Sequence, residues 1–274
     1  MLKVSCIQIN SQNNMAQNID KICSYIKEAA KNGAEFITLP ENAALMPANE
    51  EESIKAAISM EDHPALSAFK SAAKDLNIWL LVGSIAVKHE NSNKMANRSF
   101  LISPKGEVAA YYDKIHLFDV DIENGESHKE SSRYEAGEKA VIAKLPFANI
   151  GMTICYDLRF PHLYRDLAKK GANIICVPAA FTKKTGEAHW HTLLKARAIE
   201  TGCFIIAPAQ TGTHPANRKT FGHSLIIDPW GKIISEAGTG EEIIYAQIDL
   251  KMVEKIRKQL PTINHDRKYK IINL

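Results

Sequence analysis

The stretch that decides the fold reads Gly171-Ala172-Asn173-Ile174-Ile175-Cys176-Val177-Pro178. A glycine of the kind that ends helices is followed by a short apolar run, and a proline stops that run. An apolar run of this length between turn residues is typical of a strand buried on both faces of a parallel sheet. Earlier in the chain a close analogue reads Gly33-Ala34-Glu35-Phe36-Ile37-Thr38-Leu39-Pro40.

An amphipathic helix is predicted before each of these strands. Apolar residues recur at helical spacing from Ile19 to Ala30, and again from Leu163 to Ala168. Pro161 opens the second helix, at a position where proline is favoured. The alternation of helices with buried strands predicts an α/β fold.

A second pair of similar stretches follows in the same order. Residues 99–111 and residues 224–235 each predict a strand, a Pro-x-Gly turn and another strand. Two ordered pairs predict two similar halves, with their boundary between Gly125 and Gly137. Because no linker of flexible composition separates the halves, we expect residues 1–274 to form one domain.

The composition is that of an ordinary globular protein, with 45% hydrophobic and 24% charged residues among 274. A net charge of +3, without a dense Lys/Arg stretch, argues against a nucleic-acid partner. No apolar run approaches the ~20 residues of a membrane span, so no membrane partner is expected. The first residues, MLKVSCIQIN, resemble a strand and not a leader, and we expect a cytoplasmic protein. The polar tail, Pro261 to Leu274, is either an ordered arm or a frayed end.

The five cysteines show no CxxC spacing, which favours free thiols in a reducing compartment. Four of them lie within apolar patterns and are interpreted as structural: Cys6, Cys23, Cys176 and Cys203. His189 and His191 flank Trp190, but HxH spacing on a helix separates the rings and no third ligand has suggestive spacing. With no HExxH, GxGxxG or GxxxxGK[ST] motif, we expect neither a metal nor a nucleotide cofactor.

Cys155 differs from the other cysteines because it follows a short strand, Gly151 to Ile154, and precedes the helix that Pro161 opens. A side chain at such a junction meets backbone N–H groups and the positive end of a helix, which favour a thiolate. On placement alone, a nucleophile and a buried structural cysteine remain alternatives.

Glu41 and Lys114 also lie where strands are expected to end. Glu41 follows Pro40, at the carboxyl end of a strand where sites of open α/β sheets gather; a helix-capping acid is the alternative. Lys114 follows the aromatic pair Tyr111-Tyr112, where a lysine can also simply guard a sheet edge.

Together, these stretches resemble the nitrilase-like carbon–nitrogen hydrolases. The matching stretches are Leu39-Pro40-Glu41-Asn42, Asp113-Lys114-Ile115-His116-Leu117-Phe118-Asp119 and Thr153-Ile154-Cys155-Tyr156-Asp157-Leu158-Arg159-Phe160-Pro161. Further matches are Gly186-Glu187-Ala188-His189-Trp190, Ala196-Arg197-Ala198-Ile199-Glu200, Gly222-His223-Ser224 and Asp228-Pro229-Trp230-Gly231. The resemblance covers nearly the whole chain in order and is strongest to the Nit-type amidases. One departure is Glu187, where Nit-type enzymes commonly carry proline.

The resemblance implies an αββα sandwich with an internal pseudo-two-fold repeat, assembled as a homodimer or larger homo-oligomer. It implies hydrolysis of a small-molecule amide through an acyl-thioester on Cys155, without cofactor. Glu41 would be the general base, with a raised pKa, and Lys114 would stabilise the oxyanion together with the backbone N–H after Cys155. Glu130 would orient Lys114.

The resemblance also implies a set of substrate contacts: Tyr156, Arg159, Phe181 and Thr185. Four basic residues add positive charge nearby or are simply solvated: Lys183, Lys184, Arg218 and Lys219. The leading substrate is deaminated glutathione, because residues 209–214 resemble that group of enzymes more closely. An ω-amidase acting on α-ketoglutaramate, a non-catalytic interaction protein of the same fold, and a papain-like Cys/His protease are the alternatives.

Overall fold

The computed structural model describes residues 1–122 and 126–273. The α-helices in these ranges are α1 (Met15–Lys31), α2 (Glu50–Lys55), α3 (Pro64–Asp75), α4 (Pro161–Lys169), α5 (Lys183–Thr201) and α6 (Lys251–Gln259). Short 3₁₀ helices occur at Glu130–Ser132, Cys155–Arg159, Pro215–Asn217 and Thr262–Asn264.

The strands of the first half are β1 (Leu2–Gln8), β2 (Phe36–Thr38), β3 (Trp79–Lys88), β4 (Met95–Ile102), β5 (Val108–Asp113), β6 (Asp119–Ile122) and β7 (Glu126–Lys129). Those of the second half are β8 (Val141–Lys144), β9 (Asn149–Met152), β10 (Ile174–Cys176), β11 (Phe204–Ala207), β12 (Thr211–Thr213), β13 (Lys219–Phe221), β14 (Leu225–Ile227), β15 (Ile233–Glu236) and β16 (Glu242–Ile248).

Two six-stranded sheets are built on one pattern. The first has the order β16-β1-β2-β3-β4-β5, and the second, followed from the opposite edge, has the order β8-β9-β10-β11-β14-β15. Neighbours pair antiparallel, parallel, parallel, antiparallel and antiparallel in both. This correspondence confirms the predicted internal repeat.

The two sheets pack face to face, and helices cover their outer faces. One apolar cluster joins inward-facing residues of both sheets, such as Val4 and Phe36 with Ile150 and Ile174. A second cluster joins the outer face of the first sheet to α1 and α3. Since α4 and α5 pack on the second sheet, the layers follow the order helix, sheet, sheet, helix. This is the αββα sandwich that the resemblance implies.

Local signals place the elements that position the site. Pro161 is the first residue of α4, and Gly171, with φ of 98°, follows its last turn. Strand β10 lies between β9 and β11 with all three residues buried, as expected for a central parallel strand.

The predicted boundary between the halves falls between β5 and β8. Strand β5 is the last strand that the first half contributes to the first sheet, and β8 is the first strand of the second sheet. Gly125, where the predicted boundary begins, is outside the described residues. The last strand, β16, returns to pair with β1 along seven residues, from Leu2 with Ile248 to Gln8 with Glu242. The first sheet is therefore completed by a strand from the other end of the chain.

The tail after Pro261 begins as an ordered arm. Ile263 is buried, and Asp266 forms ion pairs with Arg165 and Lys169 of α4. Beyond this contact Tyr269, Ile271 and Ile272 are exposed.

None of the helices in residues 1–122 and 126–273 has the length and apolarity that crossing a membrane requires.

Candidate active site

Three of the predicted site residues meet where strands of both sheets end. Glu41 lies in the turn after β2, Lys114 directly follows β5, and Cys155 begins the 3₁₀ helix after β9. All three are buried, with exposed fractions of 3%, 2% and 7%. The carboxyl ends of parallel strands thus bring a carboxylate, an ammonium group and a thiol together from distant parts of the sequence.

Lys114 is held between two carboxylates. Its Nζ lies 2.9 Å from Oε1 of Glu41 and 2.8 Å from Oε2 of Glu130. Glu130 also accepts a hydrogen bond from the backbone N–H of Phe118 at 2.7 Å, so its position is fixed from two sides. The predicted contact between Glu130 and Lys114 is therefore present.

Cys155 adopts a left-handed backbone conformation, with φ of 47°. Such a conformation is costly for a non-glycine residue and tends to occur where a functional side chain must be aimed. The backbone N–H of Cys155 donates to the carbonyl of Pro178 at 2.9 Å, tying the turn to the end of β10. Its thiol lies beside the side chain of Glu41, and each group shifts the pKa of the other.

The pKa of Glu41, which lies beside the Cys155 thiol, differs from the expectation. Burial raises the pKa of Glu41, but the adjacent Lys114 ammonium outweighs burial and holds the pKa below its ordinary value. The predicted raised pKa was therefore wrong for this resting state. Burial, reinforced by the Glu41 carboxylate, raises the pKa of the Cys155 thiol well above its ordinary value. The resting pair is accordingly a neutral thiol beside a carboxylate.

Burial would lower the pKa of Lys114, but Glu130 and Glu41 raise it well above its ordinary value. The ammonium form is therefore maintained although the side chain is buried. Removing this charge would leave the buried Glu41 carboxylate and the partly buried Glu130 carboxylate close together without a counterion, which is strongly unfavourable.

Two contacts to Glu41 were not foreseen from the sequence. Asn97 of β4 donates through Nδ2 to Glu41 at 3.0 Å and to Glu130 at 3.1 Å. The backbone N–H of Ala180 donates to Oε2 of Glu41 at 2.8 Å. Asn97 is a buried amide in β4, a strand whose eight residues are all buried, and buried amides need partners.

The approach of β3 to the turn carrying Glu41 depends on Gly83. A Cβ at this position would lie 2.0 Å from the carbonyl oxygen of Leu39 and 2.5 Å from Pro40. Ser84 then hydrogen-bonds the turn through its hydroxyl, which accepts from the N–H of Asn42 at 3.0 Å. Gly83 and Ser84 thus fix the backbone from which Glu41 projects.

Asp157 organises the loop that carries Cys155. Its fully buried carboxylate accepts hydrogen bonds from the hydroxyl of Tyr112 at 2.8 Å and the backbone N–H of Ile154 at 2.8 Å. It also contacts His116, through the backbone N–H at 3.1 Å and Nδ1 at 2.7 Å. Since Tyr112 and His116 flank Lys114 in sequence, Asp157 couples the loop of the thiol to the loop of the lysine.

A cavity of about 440 Å³ opens onto these residues. Of the four predicted substrate contacts, Tyr156, Phe181 and Thr185 line it. Arg159, the fourth predicted contact, is not one of the described residues that line the cavity. Its guanidinium lies 5.3 Å from the ring centre of Phe181 and 5.9 Å from that of Tyr156, and it contacts His189 at 3.3 Å. Arg159 therefore supports two lining rings from the side.

Some, but not all, of the basic residues predicted to lie near the substrate line the cavity. Arg218 and Lys219 line it, together with Lys129 and Arg133 of the first half. Lys183 is exposed and lies 3.8 Å from Glu187, one turn along α5. The unusual Glu187 therefore sits in a helix, not in a loop. The cavity thus presents cations beside the buried cluster of Glu41, Lys114 and Cys155.

The remaining cysteines lie away from this constellation. Cys6, Cys176 and Cys203 are buried, and burial raises the pKa of each thiol, that of Cys6 to about 12. All five cysteines are free, which agrees with the expectation. The thiol of Cys155 interacts with the Glu41 carboxylate, the pairing that the nitrilase-like resemblance implies.

Comparison with known proteins supports this interpretation. The carbon–nitrogen hydrolase family model matches residues 3–258. A deaminated glutathione amidase of Yersinia enterocolitica is 41% identical over 266 residues, covering 96% of this chain and 92% of that protein. A deaminated glutathione amidase of Synechocystis is 40% identical over 265 residues, covering 95% and 96%.

The crystal structure of the Caenorhabditis elegans NitFhit protein has the same fold, with a TM-score of 0.90 at 33% identity. The match covers 97% of this chain and 65% of that longer one. A family match of this length, with relatives at this identity, shows that the chain belongs to the carbon–nitrogen hydrolase family and is a cysteine-dependent amidase.

Proposed function

We propose that Glu41, Lys114 and Cys155 are the catalytic residues and that the enzyme hydrolyses deaminated glutathione. The placement of the Cys155 thiol beside the Glu41 carboxylate, whose Oε1 lies 2.9 Å from the Lys114 ammonium, carries the proposal. It pairs a nucleophile with an ionised base in a buried site that opens on a cavity of substrate size.

In the first step the Cys155 sulfur attacks the amide carbon while Glu41 takes the thiol proton. Because the resting thiol is neutral and Glu41 is ionised, no prior ionisation of the cysteine is needed. The carbonyl oxygen gains negative charge, which Lys114 stabilises together with the backbone N–H of Tyr156. That N–H lies in the first turn of a 3₁₀ helix, where backbone donors lack acceptors within the helix.

The tetrahedral intermediate collapses when Glu41 gives its proton to the leaving amine, and the C–N bond breaks. An acyl-thioester on Cys155 remains. Glu41, again a carboxylate, then removes a proton from water as the water oxygen attacks the thioester. Release of the acid returns the proton to the Cys155 sulfur, so one water is consumed and one amide becomes an acid and an amine.

Glu130 and Asn97 are proposed as positioning residues. Glu130 holds Lys114 from the side opposite Glu41, and Asn97 donates to both carboxylates. With both carboxylates anchored, the ammonium stays where the oxyanion forms instead of collapsing onto Glu41 alone.

The substrate proposal rests on the named relatives and on the charge of the cavity. Deaminated glutathione carries a distal carboxylate, and Arg218 is suited to bind it bidentately. One Nη of Arg218 lies 3.4 Å from the carbonyl of Ala180, while its buried Nε has no partner among the described residues. Arg218 also acts electrostatically on Glu41, so it lies near the reacting groups.

The test compares kcat/KM for deaminated glutathione and α-ketoglutaramate on one preparation. Both amides release α-ketoglutarate, so one product assay serves both, whereas ammonia is released from α-ketoglutaramate alone. We expect deaminated glutathione to be preferred. Arg218→Ala should reduce that preference about ten- to hundredfold, the effect of one charge-assisted hydrogen bond of ~1.5–3 kcal/mol.

Lys183→Ala is the matched control, because Lys183 is a nearby exposed cation paired with Glu187. It should leave the preference unchanged. Equal kcat/KM values, or a preference for α-ketoglutaramate, would make the enzyme an ω-amidase while leaving the catalytic residues as proposed.

We further propose that residues 1–274 form one domain, since β16 completes the sheet that β1 begins. Assembly as a homodimer or larger homo-oligomer is proposed from the family resemblance and would be measured by light scattering. A cytoplasmic location is proposed from the five free thiols, including the one on which catalysis would depend.

A further inference from the structure

A second cluster of chemically reactive side chains lies outside the catalytic cavity. His191 projects from α5, His223 follows β13, and Glu236 is the last residue of β15. Nε2 of His191 lies 2.9 Å and Nδ1 of His223 lies 3.0 Å from the same oxygen, Oε1 of Glu236. Among the described residues, none of these three lines the catalytic cavity.

We infer that the His191–His223–Glu236 cluster binds one Zn²⁺ ion per chain. Its three ligand atoms lie within 4.8 Å of one another. Neighbouring ligands of a tetrahedral zinc, with bonds of about 2.0–2.1 Å, are about 3.3 Å apart. The two separations from Glu236, 2.9 and 3.0 Å, are close to this value, and the two imidazole nitrogens lie within 4.8 Å of each other. Side-chain rotations would therefore bring the three ligand atoms around the ion.

The donor set selects the class of metal. Two imidazole nitrogens and one carboxylate oxygen suit zinc and similar transition metals, whereas Mg²⁺ and Ca²⁺ prefer sites made of oxygen alone. The three side chains are 24–37% exposed, so an ion can enter and a coordination position stays open to water.

The cluster is held by the surrounding structure. The indole of the fully buried Trp190 donates to the backbone carbonyl of His223 at 2.7 Å, which joins the segment of His223 to the helix turn of His191. The ring of Phe221 stacks on His223 with centroids 4.4 Å apart. Glu236 pairs with Leu225 in the antiparallel contact of β14 and β15. Such preorganised surroundings fix ligand orientation.

Sequence spacing could not find this site, because its ligands lie on three separate elements. The HxH pair His189 and His191 does not form it, since His189 contacts Arg159 instead. A bound ion would join α5 to the β14–β15 hairpin and so stabilise the folded state. The inference is independent of the substrate proposed above.

Calorimetric titration of the EDTA-treated and desalted protein with ZnCl₂ tests the site. The Cys155→Ala variant serves as a second parent, so that zinc bound by the reactive thiol is not counted. We expect one equivalent of Zn²⁺ to bind to both parents, MgCl₂ to bind far more weakly, and zinc to raise Tm. His191→Gln should weaken zinc binding about 100-fold or more and abolish the rise in Tm.

Glu236→Gln and His223→Asn provide further variants; asparagine is chosen because His223 has φ of 54°, which asparagine tolerates. His189→Gln, on the other side of Trp190, is the control and should bind zinc like its parent. Metal-free amidase activity equal to wild type shows that each variant made in the wild-type background is folded, whereas the metal-free Tm reports folding in the Cys155→Ala background. If zinc binds equally to wild type and to His191→Gln or Glu236→Gln, or does not bind, the cluster is a hydrogen-bonded carboxylate–imidazole group and the inference is wrong.

Discussion

The two sheets share one strand order and one pairing pattern, yet their corresponding strand ends carry different side chains. Aligning Pro40 with Pro178, at the ends of β2 and β10, places Glu41 at the position of Ala179. By the same registers, Cys155 after β9 corresponds to Ile9 after β1. Ile9 is a buried residue that bridges Gln210.

The two halves therefore share a backbone arrangement but not the side chains that are proposed to be catalytic. The repeated backbone creates equivalent positions at both sheet edges, but the proposed base and ammonium come from the first half and the nucleophile from the second. Neither half contains the whole set. The proposed active site depends on the sandwich bringing the two edges together, with the backbone N–H of Ala180 in the second half donating to Glu41 of the first.

The largest expected effect comes from the thiol of the second half. Cys155→Ala should lower kcat by about 10⁴-fold or more, because no other group in the proposed mechanism can form the acyl-thioester. Cys176→Ala, at a buried cysteine in the neighbouring strand β10, is the matched control and should retain activity. Product formation by Cys155→Ala at the wild-type rate would refute the assignment of the nucleophile.

The carboxylate of the first half should have the next largest effect. Glu41→Gln should lower kcat by ~10²-fold or more, because glutamine cannot carry a proton between the thiol and the leaving amine. Steady-state rates of Glu41→Gln and His189→Gln would be measured side by side. An active Glu41→Gln enzyme with an inactive His189→Gln enzyme would indicate a Cys/His dyad instead.

The junction between the halves should make the folded state sensitive to acid. His214 contacts the carbonyl of Ser11 at 2.8 Å and the hydroxyl of Thr220 at 2.7 Å, and burial lowers its pKa to about 4. Burial lowers the pKa of His63 similarly, to about 4. Each imidazole binds protons more tightly in the unfolded state than in the folded state. The contribution of each neutral histidine to the free energy of unfolding is therefore present above pH 6.5 and is lost as pH falls towards 4.

Urea unfolding between pH 7 and 4 measures this effect. The loss attributable to His214 should be on the order of 3 kcal/mol, from the difference between the two pKa values. His214→Gln should flatten the dependence of the free energy of unfolding on pH, even if it is less stable than wild type at pH 7. An unchanged pH dependence would show that His214 is not titrated on unfolding.

The smallest expected effect is that of a chelator on turnover. The proposed nucleophile is a thiol and the oxyanion is stabilised by Lys114, so the chemistry needs no metal-bound water. Dialysis against EDTA should therefore leave kcat unchanged while removing zinc from the separate His191–His223–Glu236 cluster. If dialysis abolished activity, and zinc restored it in wild type but not in His191→Gln, turnover would depend on metal bound at the His191–His223–Glu236 cluster.

The sequence predicted the fold where local signals are strong. Pro161 at the start of α4, Gly171 after its end and the apolar strand β10 all depend on neighbouring residues, and each was predicted within a few positions. The repeat was visible because two such signals recur in the same order. Glu41, Lys114 and Cys155 became candidates because each was expected at a strand end, but placement alone left other interpretations open for each, and their roles were implied by the family resemblance.

Contacts set by long-range pairing were not predictable. Asn97 reaches Glu41 and Glu130 because β4 pairs with β5, and no local pattern specifies that juxtaposition. The lowered pKa of Glu41 depends on the placement of Lys114 2.9 Å away. The His191–His223–Glu236 cluster required the packing of α5 against the β14–β15 hairpin.

The central claim is that an acyl-thioester forms on Cys155, and partitioning with hydroxylamine tests it most directly. Deaminated glutathione and α-ketoglutaramate would donate the same α-ketoglutaryl group to the thiol. At a fixed hydroxylamine concentration the ratio of hydroxamate to α-ketoglutarate should therefore be identical for the two amides, and Cys155→Ala should form neither product. Ratios that differ between the amides, or hydrolysis without any hydroxamate, would show that water attacks the amide directly and would contradict the account.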